Sequence, residues 1–135
     1  MISKLIEVIF GLPKLTEVEC RVLDEVAAVL PPVMAGTMRD QIKNIRKIQR
    51  LDRGREVDFY YDADANQVPA FAFDQDVVEL ARVYIESLDT GHATRVCLQI
   101  VRGRLFSLNF TSPPRDLRGE NLKVHVELCG LSDSK

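Results

Sequence analysis

A thiol, an imidazole and a carboxylate are the side chains of this sequence whose types would suit nucleophilic catalysis. Cys97 and His125 can share the polar face of one predicted sheet, and Glu127 follows two residues after the histidine. In such a set the thiolate attacks, the histidine takes the proton and the carboxylate orients the ring. The apolar neighbours of Cys97 favour a packed free thiol instead, and motifs such as G-x-S-x-G and H-E-x-x-H are absent. We expect that the protein is not an enzyme, and we keep a small enzyme using Cys97 and His125 as an alternative.

The run from Asp62 to Asn66, Asp-Ala-Asp-Ala-Asn, begins like a calcium-binding loop. A calcium loop also needs a glycine at its sixth position and a glutamate at its twelfth. These positions hold Gln67 and Phe73 here. The sequence therefore predicts no metal site and no other cofactor.

Three cysteines, Cys20, Cys97 and Cys129, are far apart in the chain and form no C-x-x-C pair. This spacing disfavours a zinc site, and free thiols among apolar neighbours suit a reducing cytoplasm. The apolar run at the N-terminus is too short to span a bilayer and lacks a signal-peptide cleavage pattern. We expect a cytoplasmic protein that has no contact with a membrane.

Charge is sorted into two adjacent blocks of opposite sign. Met38–Arg55 holds seven basic residues and two acids, whereas Glu56–Ala81 holds seven acids and no Lys, Arg or His. Crowded acids repel one another, so we expect that some await a basic partner, with exposed tyrosines as aromatic anchors. The candidate partner-binding residues are Asp58, Tyr60, Asp62, Asp64, Asp74 and Asp76.

The basic block, residues 38–55, supplies a nucleic-acid-binding module as a further alternative. On a helix, its cations at spacings of three, four and seven would form one continuous face that can contact phosphates. No aromatic residues interleave with these cations, and the net charge is −2, so a nucleic acid is not the partner that we expect. The cations of this face are Arg39, Lys43, Arg46, Lys47 and Arg50.

Helical periodicity is confined to the first part of the chain. Ile2–Ile9 predicts a short amphipathic helix that can pack on its own domain or against a second copy, which leaves a homodimer open. Thr16-x-x-Glu19 is the capping box of a second helix, which Pro31-Pro32 ends. A third helix is predicted over Val33–Leu51.

Beyond residue 55 the apolar period changes to two, which predicts strands. Residues 77–87 fit either a helix or a strand, and we favour the strand because β-branched residues suit a pleated surface. Turns at Asp89–Gly91 and Arg102–Arg104 predict hairpins. The other predicted strands cover residues 57–61, 70–73, 93–101, 105–110 and 122–128.

The order of these elements predicts one α+β domain over residues 1–135. A helical part, 1–51, precedes a sheet part, 55–129. We expect two or three N-terminal helices packed on a predominantly antiparallel sheet of five or six strands.

In its size, its lack of catalytic motifs and its segments QIKNIRKIQR, REVDFYY and RLFSLNF, the sequence resembles immunity proteins of bacterial contact-dependent growth inhibition and related polymorphic-toxin systems. The resemblance is one of type over the whole chain, so it implies no role for any single residue. It implies a cytoplasmic protein that binds and neutralises a cognate toxin domain, often a basic nuclease. An acidic face suits that role because it mimics the charge of the toxin's substrate.

Overall fold

The fold combines two helices with one six-stranded sheet in the residues that the computed structural model describes, 14–62, 67–117 and 121–129. Helix α1 spans Glu17–Val29 and helix α2 spans Pro32–Lys43. All neighbouring strands are antiparallel, in the order β1-β2-β5-β4-β3-β6. The predicted α+β fold is confirmed, and the predicted helix over Ile2–Ile9 lies outside the described residues. The strands are β1 (Ile45–Leu51), β2 (Glu56–Tyr61), β3 (Val77–Ser87), β4 (Ala93–Val101), β5 (Arg104–Phe110) and β6 (Leu122–Leu128).

Helix α1 begins with the predicted capping box. The Glu19 backbone N–H donates to Thr16 Oγ1 at 3.1 Å, and Glu19 Oε1 accepts from the Thr16 backbone N–H at 2.9 Å. The Glu19 side chain is 1% exposed, and its two oxygens accept hydrogen bonds of 2.6 and 2.8 Å from Arg50 of β1. One buried carboxylate therefore caps the helix and ties it to the edge of the sheet.

The predicted helix over Val33–Leu51 is wrong in its second half. Helix α2 ends at Lys43, where Asn44 Nδ2 donates to the Asp40 carbonyl at 2.7 Å. Ile45–Leu51 is instead the edge strand β1, paired with β2. The helical part of the chain is therefore shorter than predicted, because the first strand comes directly after α2.

The predicted strand over Ala70–Phe73 is also wrong, whereas the strand interpretation of residues 77–87 is confirmed. Phe71 lies against the β4–β5 turn, and its N–H donates to the Gly103 carbonyl at 2.8 Å. Gly103 has a φ of +81°, and a Cβ there would lie 2.5 Å from the Phe71 carbonyl oxygen. The predicted turn at Arg102–Arg104 thus needs glycine both for its backbone angle and for this close approach.

Gln41 of α2 joins three parts of the structure. Its side chain is fully buried; Nε2 donates to the carbonyls of Pro69 and Gly103, and Oε1 accepts from the Leu105 N–H, each at 2.9 Å. A buried amide that makes three hydrogen bonds fixes the register between helix and sheet.

The two faces of the sheet differ in chemistry. On the inner face, Val, Leu and Ile side chains of β3, β4 and β5 are buried and pack with α1 and α2 in one core. The opposite face carries mainly polar side chains, and neither α1 nor α2 lies on it. Neither helix is long and apolar enough to cross a bilayer within the described residues.

Candidate functional site on the outer face of the sheet

The outer face, meaning the sheet surface opposite α1 and α2, brings polar side chains of all six strands into register. The pairings across the sheet define two neighbouring rows of residues. The first row is Gln49, Asp58, Ser107, Gln99 and Glu79. The second row is Leu51, Glu56, Asn109, Cys97, Arg82 and Glu127.

Asp58 lies on β2, next to the edge strand β1, and is only 5% exposed. Its Oδ1 atom is buried and has no hydrogen-bond partner among the described residues. Burial, and then the neighbouring carboxyl of Glu56 on the same face, raise the pKa of Asp58 to about 6, because both disfavour the charged form. No ion pair within the described part of the chain reaches either carboxyl. At neutral pH this face therefore holds a buried negative charge that no cation of these residues neutralises.

Tyr60 extends the same face beside Asp58 and is 37% exposed. Its ring meets Phe106 edge to face with centroids 6.1 Å apart, and the Lys47 ammonium lies 5.7 Å from its centroid. The hydroxyl donates to Gln49 Oε1 at 3.2 Å. These contacts fix the orientation of an aromatic side chain that remains partly open to solvent.

The second row holds Cys97, the predicted nucleophile of the enzyme alternative. Its thiol donates to Glu79 Oε2 at 2.6 Å, and burial followed by this hydrogen bond raises the pKa of Cys97 to about 12. His125 of β6 lies opposite Tyr84 of β3, whereas Cys97 of β4 lies opposite Arg82 of β3. Two strand spacings of about 4.8 Å each and an offset of two residues along the strands therefore separate His125 from Cys97. A thiol held protonated in this way is a poor nucleophile, and its proton is not directed at the histidine.

The predicted partner-binding residues divide between two locations. Asp58 and Tyr60 belong to the outer face, as described above. Asp62 follows β2 and accepts a hydrogen bond of 2.7 Å from Arg46 Nε. An acid of this set is therefore already paired with a cation of the preceding basic block.

Asp74 and Asp76 are exposed in the loop before β3, at the same end of the sheet as Asp62. Three strand spacings, or about 14 Å, lie between that loop and the end of β2. The exposed side chain of Arg102 lies at this end as well, and its backbone N–H donates to the Asp76 carbonyl at 2.6 Å. Asp64 lies outside the described residues. The described acids of the set do not form one continuous surface.

The five cations predicted to form one helical face are distributed over separate surfaces, because α2 ends before the last three. Arg39 and Lys43 are exposed on α2, while Lys47 lies on the outer face. Arg46 and Arg50 both bind acids of the same chain. The continuous basic stripe on which the nucleic-acid alternative depends is therefore absent.

The structure describes only part of the run from Asp62 to Asn66 that begins like a calcium-binding loop. Asp62 is described, whereas residues 63–66 are not. Among the residues that the structure describes, no three His, Cys, Asp or Glu side chains are grouped to hold a metal ion.

The sequence alone did not identify the residues that neighbour Asp58 in the sheet. Gln49 and Ser107 flank it in the first row, and Glu56 lies beside it on β2. Strict alternation along β2 would have placed Glu56 on the same face as Asp58. No local pattern identifies Gln49 or Ser107, because their positions depend on pairing with distant strands.

These features define an α+β domain whose sheet is covered by helices on one face and bears a polar, partly aromatic surface on the other. No protein-family model, no curated protein and no solved structure matches the chain.

Proposed function

We propose that this protein is a non-catalytic inhibitor that binds a basic toxin domain through the outer face of its sheet. The observation that supports this proposal most is Asp58, a buried carboxylate with an unpartnered oxygen. Burying an anion without a cation costs stability. An arginine or lysine of a partner would remove that cost, so Asp58 would favour the bound state.

The size of the outer face supports a protein partner. Six strands at about 4.8 Å spacing, each about seven residues long, form a surface of roughly 24 by 23 Å. This area, about 550 Å², is about two thirds of the roughly 800 Å² that each partner contributes to a standard interface. Small-molecule sites are concave instead and enclose their ligand.

The side chains on this face also fit the anatomy of protein interfaces. Tyr60 and Tyr84 are each 37% exposed, and interface hot spots are enriched in tyrosine. Glu79 and Arg82 form an ion pair of 2.7 Å, which leaves the Glu56–Asp58 pair as the unneutralised acid of the two rows. The binding energy would therefore centre on Asp58 and Tyr60, with charge steering from the remaining acids.

The resemblance to immunity proteins supplies the class of partner. A toxin domain that cleaves nucleic acid carries a cationic surface for its substrate, and an acidic inhibitor can occupy that surface. Such a toxin acts in the cytoplasm, so the inhibitor would be cytoplasmic as well. A toxin domain encoded directly upstream of this gene is the partner to test.

The Asp58→Asn substitution separates binding from folding. It removes the buried charge, so the free domain should become more stable, while the cationic group of the toxin loses its counter-charge. Losing one partner of a buried charge pair costs about 2–5 kcal/mol in binding, or roughly 30-fold or more in Kd. Isothermal titration calorimetry with the toxin domain measures the affinity, and growth rescue of toxin-expressing cells measures inhibition.

The matched control is Asp24→Asn, which removes an exposed acid of α1. This variant should bind and protect like the wild type. If Asp58→Asn bound the toxin with wild-type affinity, the outer face would not be the binding surface.

A further inference from the structure

Strand β6 forms one edge of the sheet and pairs only with β3 among the described residues. The Cys129 N–H donates into β3, and the Asn121 carbonyl accepts from the residue directly after β3. The odd-numbered residues of β6 therefore direct their backbone groups toward β3. Because antiparallel strands alternate, Val124 and Val126 direct their N–H and C=O groups outward, as a template for another strand.

The inner side of β6 is less well packed than that of its neighbour. Val83 and Ile85 of β3 are at most 1% exposed, whereas the inner-face residues of β6 are only partly buried. A strand added beside β6 would extend the inner face and cover more of this apolar surface. The partly buried residues are Leu122, Val124, Val126 and Leu128.

We propose that two copies of this protein pair antiparallel through β6, about a two-fold axis at His125, to join their sheets into one. In this register each residue from Leu122 to Leu128 has a partner. Val124 exchanges backbone hydrogen bonds with Val126 of the second copy, and His125 forms the central pair without hydrogen bonds. Because the axis relates the copies, each contact occurs twice except the central one.

Charge complementarity selects this register. Lys123 lies opposite Glu127 of the second copy on both sides of the axis. Within each chain Lys123 also lies opposite Glu86, and Arg82 lies 3.9 Å from Glu127. Charges of opposite sign therefore alternate across the boundary between the two copies, in the order Glu86, Lys123, Glu127 and Arg82, with the last two in the second copy. Each opposite-charge pair on neighbouring strands contributes about 0.2–1 kcal/mol.

The other edge of the sheet does not suit self-pairing. Strand β1 carries Arg46, Lys47 and Arg50 and no acid, so an antiparallel copy would bring like charges together. Its pairing with β2 also shifts register between Ile45 and Lys47, and such bulges protect edge strands from further pairing.

Charge reversal tests the proposal on the full chain by sedimentation-velocity ultracentrifugation over a concentration series. The wild type should be a dimer. Lys123→Glu places two glutamates together on both sides of the axis, and Glu127→Lys does the same with lysines. Each single change should raise the dimer Kd by about tenfold or more, the result expected from losing two attractive pairs and gaining two repulsive ones.

The double variant Lys123→Glu with Glu127→Lys restores opposite charges across the seam, so its dimer Kd should return to within a few fold of the wild type. It also opposes like charges within each chain, at Glu86 and at Arg82, so thermal unfolding confirms that the domain folds. A second probe, Val126→Pro, removes an outward N–H and leaves the bonds to β3 intact, and it should give a monomer.

A wild type that stays monomeric at about 100 μM would overturn the proposal, because a dimer Kd above that concentration is too weak for a specific complex. Single variants that dimerise like the wild type would also overturn it. Loss of the dimer in both single variants without recovery in the double variant would refute the register about His125. These outcomes report self-association only, and toxin binding by the outer face is tested separately by Asp58→Asn, which lies on β2 away from this edge.

Discussion

Replacing Asp58 with asparagine should stabilise the protein at neutral pH and leave its stability unchanged in acid. Asp58 is 5% exposed, and burial together with the adjacent Glu56 carboxyl raises its pKa from 3.8 to about 6. In the unfolded chain the same carboxyl has its ordinary pKa, so folding favours the protonated form. Asparagine has nearly the shape of aspartate and carries no charge at any pH.

The sign and size of the effect follow from this difference in pKa. A carboxyl whose pKa is raised on folding costs nothing when it is protonated in both states, below about pH 4. The cost grows as pH rises from about 4 to about 6 and is complete above that window. A difference of about two pKa units corresponds to about 3 kcal/mol, which is the upper limit of the cost.

Denaturant unfolding at pH 4 and pH 7.5 measures the prediction. Asp58→Asn should raise the free energy of unfolding by about 1–3 kcal/mol at pH 7.5 and by no more than about 0.6 kcal/mol at pH 4. In thermal unfolding at neutral pH the gain should appear as a rise in Tm of about 3–8 °C. Asp24→Asn, an exposed acid of α1, should change neither quantity by more than about 0.5 kcal/mol at either pH.

A loss of stability in Asp58→Asn at pH 7.5 would refute this reasoning, since it would show that the native protein uses the carboxylate charge. An equal gain at both pH values would also contradict it, because the gain would then come from packing or hydrogen bonding. Only a gain that appears between about pH 4 and 6 assigns the cost to the buried charge.

The remaining predictions concern the buried Glu19 carboxylate and the partly buried Cys97 thiol. Arg50→Ala leaves the Glu19 carboxylate buried without its cation and should lower the free energy of unfolding by about 2–4 kcal/mol in denaturant. The control Arg21→Ala removes a more exposed ion pair on α1 and should lower it by less than about 1 kcal/mol. Equal losses in the two variants would contradict the role of the Glu19 contact. With the other two cysteines replaced by serine, Cys97 should react with a thiol reagent at pH 7.5 far more slowly than free cysteine, because its pKa is raised to about 12. Glu79→Gln should speed that reaction by removing the adjacent negative charge. Fast labelling of Cys97 while Glu79 is intact would contradict the raised pKa of this thiol.

The main error of sequence interpretation, the helix over residues 45–51, comes from a shift in strand register. The pairing of β1 with β2 shifts between Ile45 and Lys47. This shift places Ile45 and Ile48 toward the same core at a spacing of three, which is a helical spacing. The end of α2 did leave a local signal, because Asn44 caps it and β-branched isoleucines follow.

A second shift explains why residues 77–87 fit both a helix and a strand. The register of β3 on β4 changes between Glu79 and Ala81, and the adjacent Leu80 and Ala81 are both fully buried. Two consecutive buried residues break the period of two and imitate the side of a helix. Strand β6 pairs with β3 without a shift, and its strict alternation predicted its limits correctly.

The candidate site was harder to predict than the fold because its chemistry depends on burial of an outward-facing residue. Alternation along β2 places Asp58 on the polar face, where a charged side chain is normally solvated. Its neighbours across the sheet are Gln49 and Ser107, which lie opposite it only through the pairing of β2 with β1 and β5. The block of acids in the sequence drew attention to exposed residues such as Asp74, whereas a buried, unneutralised carboxylate gives a partner more free energy to recover. In an open sheet, a binding site is therefore better sought where charge lacks a cation than where acids are most numerous.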